Sequence, residues 1–215
     1  MSEEKEKGGF LFRLKKAILF GESEKEETKP EETKKENVQQ DALDVLFAKS
    51  FTGAGGNFAY CFDKSELISE LQLLFQEGNW RFVFCTDEKL VKVLNQAGLP
   101  SRDLLGLSEC QATLTPCEFL MADTGQVLMS SRVDKSRQLK ACPDVQLVVA
   151  FIDQICKNEE EAMMRMEAKY GERKPHSLSR LNPRPQQIDP NSVLETGGHG
   201  PQELFVFLLE NESIL

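Results

Sequence analysis

The sequence predicts an α/β fold with a mostly parallel sheet covered on both faces. Short apolar runs alternate with longer stretches of helical periodicity, the order expected of strand–helix units. One run, Asp144-Val-Gln-Leu-Val-Val-Ala150, is almost continuously apolar, as in a strand buried on both sides. The body of the chain, residues 38–215, is long enough to bury one sizeable core.

Taken in order, the first element is Phe10 to Phe20, FLFRLKKAILF. Phe10, Leu14, Ala17 and Ile18 share a helical face with Leu11 beside them, while Phe12 and Leu19 interrupt the opposite, basic side. Three readings fit residues 1–21: a helix docked on the body or a partner, a helix on a membrane surface, or a mobile arm. Residues 22–37 read as a disordered acidic linker. From Glu22 to Glu36, seven Glu and four Lys leave Pro30 as the one apolar residue, too little buried surface to offset ordering entropy.

In the body, Asp41–Phe51 is expected as a helix with Ala42, Val45, Leu46 and Lys49 along one face, followed by a short strand at Phe58–Phe62. Lys64–Glu77 is expected as a helix with the stripe Leu67, Leu71, Leu74 and Phe75 and Gly78 as its cap. A strand at Trp80–Cys85 precedes a helix at Asp87–Ala97 that Gly98 stops. Ala112–Thr115 reads as a strand, and Phe119–Met121 with Val127–Met129 as a hairpin or kink around Ala122-Asp-Thr-Gly-Gln126. Asn158–Tyr170 is a helix of Glu, Met and Ala, and Leu204–Leu209 a last buried strand.

Charge and composition exclude several functions. The net charge of −9 and pI near 4.9 oppose nucleic acid as a main partner, because phosphate binding needs a basic face. No run reaches the ~18 apolar residues of a membrane span. The charged opening MSEEKEKGG is followed by no secretory signal pattern, so a cytoplasmic location is expected. The six cysteines contain no C-x-x-C, and most sit in apolar runs where a thiol acts as a small hydrophobe. With two histidines and no metal-ligand spacing, the chain is expected to carry no iron, zinc or flavin cofactor.

Four motifs are candidates for chemistry. Gly53-Ala-Gly-Gly-Asn57 follows a helix and leads into a strand, the reverse of a dinucleotide loop. It reads as a turn, or as backbone that approaches a ligand. Asp123-Thr-Gly125 occurs once, whereas aspartic-protease chemistry needs two carboxylates sharing a proton. Ser179-Arg180 lies among Pro175, Pro183 and Pro185 in an expected loop, where Arg180 is an anion clamp or a solvated arginine. Thr196-Gly-Gly-His-Gly-Pro201 is a strand-entry loop or an anion nest in which His199 handles a proton.

The order of these pieces resembles the lactate-utilisation (LUD) domain family, in its short single-domain LutC/YkgG branch. The opening FLFRLKKAIL is similar to the family's first helix, and Gly55-Gly-Asn-Phe58 to the segment after its first long helix. Thr113-Leu-Thr115 with Ala122-Asp-Thr-Gly125 resembles the Thr…Ala-Glu/Asp-Thr-Gly element. Ser179-Arg180 stands at the Gly-Pro-Ser-Arg-Thr-Ala-Asp position, with Leu181-Asn-Pro-Arg184 in place of Thr-Ala-Asp. Gly198-His-Gly-Pro201 with Leu204 resembles the closing Gly-x-His-Gly-Pro-x-x-Leu element.

The resemblance implies a Rossmann-like three-layer sandwich of the NagB/RpiA/CoA-transferase-like group. It also implies an accessory subunit of an L-lactate-oxidising system whose partner subunits carry iron–sulfur clusters. The alternative is a stand-alone enzyme acting on a sugar phosphate, folate or acyl-CoA. The expected site gathers Gly55, Gly56, Thr124, Gly125, Ser179, Arg180, Gly198, His199 and Gly200 around a small carboxylate or phosphate, outside the carboxyl ends of the strands.

Overall fold

The structure is a computed structural model that describes residues 42–134, 143–173, 175–183 and 203–215. The proposed arm and linker lie outside the described residues. Helix α1 (Leu43–Gly53) leads into strand β1 (Asn57–Cys61), followed by α2 (Lys64–Glu77), β2 (Val83–Phe84), α3 (Glu88–Gln96) and β3 (Ser101–Arg102). A 3-10 turn at Leu104–Glu109 precedes β4 (Ala112–Pro116). Then come β5 (Phe119–Met121), β6 (Gln126–Ser130), β7 (Val145–Phe151), β8 (Ile155–Cys156), α4 (Glu159–Tyr170), β9 (Leu178–Leu181) and β10 (Glu203–Leu209).

Six strands form a parallel sheet in the order β1-β10-β7-β4-β2-β3. A second sheet, β8-β5-β6-β9, contains the expected hairpin, with β6 antiparallel to both β5 and β9. Strand periodicity explains the continuous apolar runs. Leu147, Val149 and Phe151 of β7 and Phe205, Phe207 and Leu209 of β10 face the core that α2 and α3 complete. Alternate residues, Val148 and Ala150 with Leu204, Val206 and Leu208, face a second core shared with α1 and the small sheet. Residues of both faces are removed from water, so polar alternation is absent. The far side of the small sheet packs Phe119, Met121, Leu128 and Cys156 on Ala162 and Met166 of α4.

Local chemistry starts the helices. Asp63, Asp87 and Asn158 accept hydrogen bonds from the first-turn amides of α2, α3 and α4. Asp87 takes two, from the Lys89 and Leu90 N–H groups, both at 3.0 Å. Asp87→Ala is expected to cost about 1 kcal/mol and to lower Tm by roughly 2–4 °C, measured by thermal denaturation.

Two expectations change and one holds in an altered form. Helix α1 buries Phe47, Ala48 and Phe51, whereas Val45 of the expected stripe is exposed. The aromatic face wins because it buries more area. Phe47 stacks on Phe51 with ring centres 5.3 Å apart and meets Phe58 edge-on at 6.1 Å. Gly78 is the C-cap of α2 as expected, with an ordinary φ of −78°, and Asn79 after it takes the left-handed φ of +48°. A side chain at Gly78 would meet the Trp80 ring instead, with Nε1 2.3 Å from its Cβ. Ser179 and Arg180 lie in strand β9 rather than a loop, because Leu178–Leu181 pairs with β6. The strand is four residues long and only Leu181 is buried, so its apolar signal is weak.

Candidate functional site

Two of the candidate glycines, Gly56 and Gly125, press on one residue, Phe51. The turn leaving α1 is closed by the Gly55 and Gly56 N–H groups, which donate to the Thr52 and Phe51 carbonyls at 2.9 and 3.0 Å. A Cβ on Gly56 would fall 2.3 Å from Cε1 of Phe51. The β5–β6 turn arrives from the other side. Gly125 has φ +66°, and a Cβ there would lie 2.5 Å from the Phe51 nitrogen and 2.6 Å from the Ser50 carbonyl carbon. Both glycines are therefore places where backbone or ring approaches too closely for a side chain.

The hairpin turn is held on further sides. The Ala122 and Asp123 N–H groups donate to the Cys156 and Lys157 carbonyls, and Gln126 Nε2 donates to Asn182 Oδ1 at 2.6 Å. Thr124 is exposed at the tip of this fixed turn.

Arg180 sits elsewhere. It is in register with Leu128, on the side of the small sheet that α4 covers, and its guanidinium is ion-paired with Glu159. Leu181, the next residue, packs in the α1 core with Phe51, as strand alternation requires. Ser179 is in register with Met129 and points to that same α1 side. Gly198, His199 and Gly200 lie outside the described residues. The described part of β10 starts at Glu203, and Phe205 is in register with Asn57. The amino ends of β1 and β10 are thus adjacent, and the Gly55–Gly56 turn enters β1 there. The sequence placed this turn at the carboxyl ends of the strands; it lies at the amino end, because it precedes β1 rather than following it.

The Thr113-Leu-Thr115 motif faces the same interior. Leu114 points to the α2–α3 core, so both threonines face the α1 side. Gln146 Nε2 donates to Thr115 Oγ1 at 2.8 Å in full burial. Thr113 Oγ1, equally buried, has no hydrogen-bond partner among the described residues.

One charged group escaped the sequence reading. Glu118 has a fully buried side chain between the small sheet and α4. It accepts from Ser130 Oγ at 2.5 Å, Lys169 Nζ at 2.8 Å and the Tyr170 hydroxyl at 3.0 Å. Burial pulls the Lys169 ammonium down, but the hydrogen bond and charge of Glu118 outweigh it and leave its pKa above the usual 10.5. Burial and then the bond to Glu118 push the Tyr170 hydroxyl above its usual 10.0. The available signal was a lone Glu within the otherwise apolar run Cys117-Glu-Phe-Leu-Met121.

The five cysteines among the described residues are dispersed, and Cys142 lies outside them. Cys61, Cys85, Cys117 and Cys156 are buried and Cys110 is half-buried, all with free thiols. Burial pushes Cys61 and Cys85 up to about 12 and Cys156 to about 11, so these are protonated, inert thiols at neutral pH. Among the described residues, no three His, Cys, Asp or Glu side chains stand close enough to share a metal ion.

Residues 105–209 match the family model of the LUD domain. Over this stretch the chain is similar to the LUD domain family. The LUD match starts in the 3-10 turn before β4 and runs to the end of β10. It takes in the threonine strand, the Asp123-Thr-Gly125 turn and Ser179-Arg180, and it leaves Gly55–Gly56 outside. The structure is similar to the crystal structure of a DUF162 family protein from Deinococcus radiodurans. That likeness has 22% identity, a TM-score of 0.57, and covers 78% of this chain and 96% of the other, a similarity of fold. No curated protein matches this chain. No helix among the described residues is long and apolar enough to cross a membrane.

Proposed function

We propose that this protein is a LutC-like accessory subunit of a cytoplasmic L-lactate utilisation system. In that system lactate gives up two electrons and two protons to become pyruvate, and the electrons pass to iron–sulfur clusters on partner subunits. The LUD match over residues 105–209 carries the reading. The scatter of the five described cysteines, with no C-x-x-C in the sequence, fits a subunit that holds no cluster of its own, since cluster ligation draws several thiolates together.

The small anion, a carboxylate or phosphate, is proposed to bind beside the Phe51 junction. Thr124 and Ser179 supply hydroxyls there and Gly198, His199 and Gly200 the closing loop, while Gly55, Gly56 and Gly125, whose N–H groups already donate to the Thr52, Phe51 and Met121 carbonyls, shape the turns that border it. Arg180 contributes charge only by leaving Glu159, so it is the least favoured member of the set.

The test uses the tagged full chain expressed in its own host on L-lactate. The expected result is co-purification with subunits bearing C-x-x-C-x-x-C-x-x-x-C repeats, and loss of growth on L-lactate when the gene is disrupted. A chain that purifies alone, with lactate growth intact, overturns the reading. Turnover of a sugar phosphate, folate or acyl-CoA by that solitary chain would establish the stand-alone enzyme instead. His199→Ala is expected to lower lactate oxidation by the assembled complex about tenfold, in the range of one lost charge-assisted contact, with Tm unchanged. Undiminished oxidation removes His199 from the site.

A further inference from the structure

Helix α4 leaves an apolar face in water. Ala162 and Met166 are buried against the small sheet, but Met163 is 41% exposed and Met164 65% exposed. With Leu178 and Pro175 they line a cleft of about 310 Å³. Glu160, Met163, Met164 and Glu167 follow helical spacing, so the methionines are flanked by a carboxylate at either end. Methionine is unbranched and polarisable, which suits it to receive another chain's apolar side chains.

The charge on this rim narrows the occupant. A second copy of α4 would set glutamates against glutamates, and an anionic membrane surface would be repelled likewise. The linker, with seven Glu to four Lys between Glu22 and Glu36, also carries the wrong sign. Phe10–Phe20 carries the right one. Its apolar residues Phe10, Leu14 and Ile18 recur every four positions, and Arg13, Lys15 and Lys16 flank them. The connection is long enough. The 22 residues from Gly21 to Ala42 span roughly 75 Å when extended, whereas a domain of this size has a radius of gyration of roughly 16 Å.

We propose that the methionine cleft on α4 is the docking site for this chain's own basic, apolar segment Phe10–Phe20. Phe10, Leu14 and Ile18 enter between Met163, Met164 and Leu178, and Arg13, Lys15 and Lys16 meet the Glu160 and Glu167 carboxylates. Covalent connection keeps the segment at an effective concentration near millimolar, so docking within the chain precedes docking between chains.

Peroxide footprinting of the full chain tests this, with each methionine read by mass spectrometry. Leu14→Asp/Ile18→Asp is expected to raise oxidation of Met163 and Met164 about fivefold, with buried Met121 and Met129 unchanged as internal controls. A charge reversal, Glu160→Lys/Glu167→Lys, is expected to remove the same protection, and adding Lys15→Glu/Lys16→Glu to restore it. Equal oxidation in wild type and Leu14→Asp/Ile18→Asp overturns the proposal. So does a four-fold charge swap that restores nothing. Protection that fades on dilution assigns the cleft to another molecule and overturns docking within the chain.

Discussion

Gly125→Ala is expected to destabilise the protein by about 3 kcal/mol. A Cβ at φ +66° costs about 1 kcal/mol. The overlap is the larger part. The new carbon would lie 2.5–2.7 Å from the backbone of Ser50 and Phe51, and a helix backbone cannot rotate aside as a side chain can. Overpacking of this kind adds about 1–3 kcal/mol. For a domain of this size the sum lowers Tm by roughly 6–12 °C. Gly98→Ala separates the two causes. Gly98 has φ +70° with no atom within 4 Å of its Cβ position, so that variant is expected to lose only about 1 kcal/mol. Equal losses at both positions, by chemical denaturation, would show that α1 does not press on the hairpin turn.

Glu118→Gln is expected to cost about 2–3 kcal/mol at neutral pH. The carboxylate accepts from three donors, whereas an amide turns its own donor toward one of them. Lys169, about half exposed, can return to water, which keeps the loss below the 3–5 kcal/mol typical of a fully buried pair. The cluster also has a pH signature. Lys169 and Tyr170 both have folded-state pKa values raised above their ordinary 10.5 and 10.0. The native state therefore holds protons that the unfolded state has released. This contribution is complete below the ordinary values and is lost as pH rises through the raised ones. Wild type should thus lose its advantage over Glu118→Gln in alkaline solution. A stability difference that stays constant from pH 7 into that range would assign the effect to packing alone.

The strands of the central sheet were legible because burial on both faces leaves runs such as Val145–Phe151 and Leu204–Leu209 with hardly a polar residue. Helix α2 was legible to the residue, since Leu67, Leu71, Leu74 and Phe75 keep one stripe and Asp63 caps it. The two-residue strands were harder to read. In β3 and β8 register comes from neighbours far along the chain, so no local period betrays them. Helix α1 failed for a related reason: whether Val45 or Phe47 turns inward depends on Phe58, which lies in the next element. At the candidate site, the glycines of two separate motifs were found, but not their common neighbour. Phe51 reads as one more apolar residue, and only the fold brings Gly56 and Gly125 against it. The Arg180–Glu159 pair was likewise invisible, because it requires α4 to lie across β9.

The place of β10 between β1 and β7 has a consequence for synthesis. Among the described residues, strand β1 pairs only with β10, which is made more than a hundred residues later. At typical translation speeds that interval is on the order of ten seconds. Throughout it, Asn57–Cys61 presents an unpaired edge whose Phe58, Ala59 and Cys61 are destined for burial. The nascent chain can assemble β2, β3, β4 and β7 early, but the sheet closes only when Glu203–Leu209 slides into a slot open on both sides. Folding is therefore completed by an insertion, and a nascent chain stalled before Glu203 would expose two sticky strand edges, on β1 and on β7.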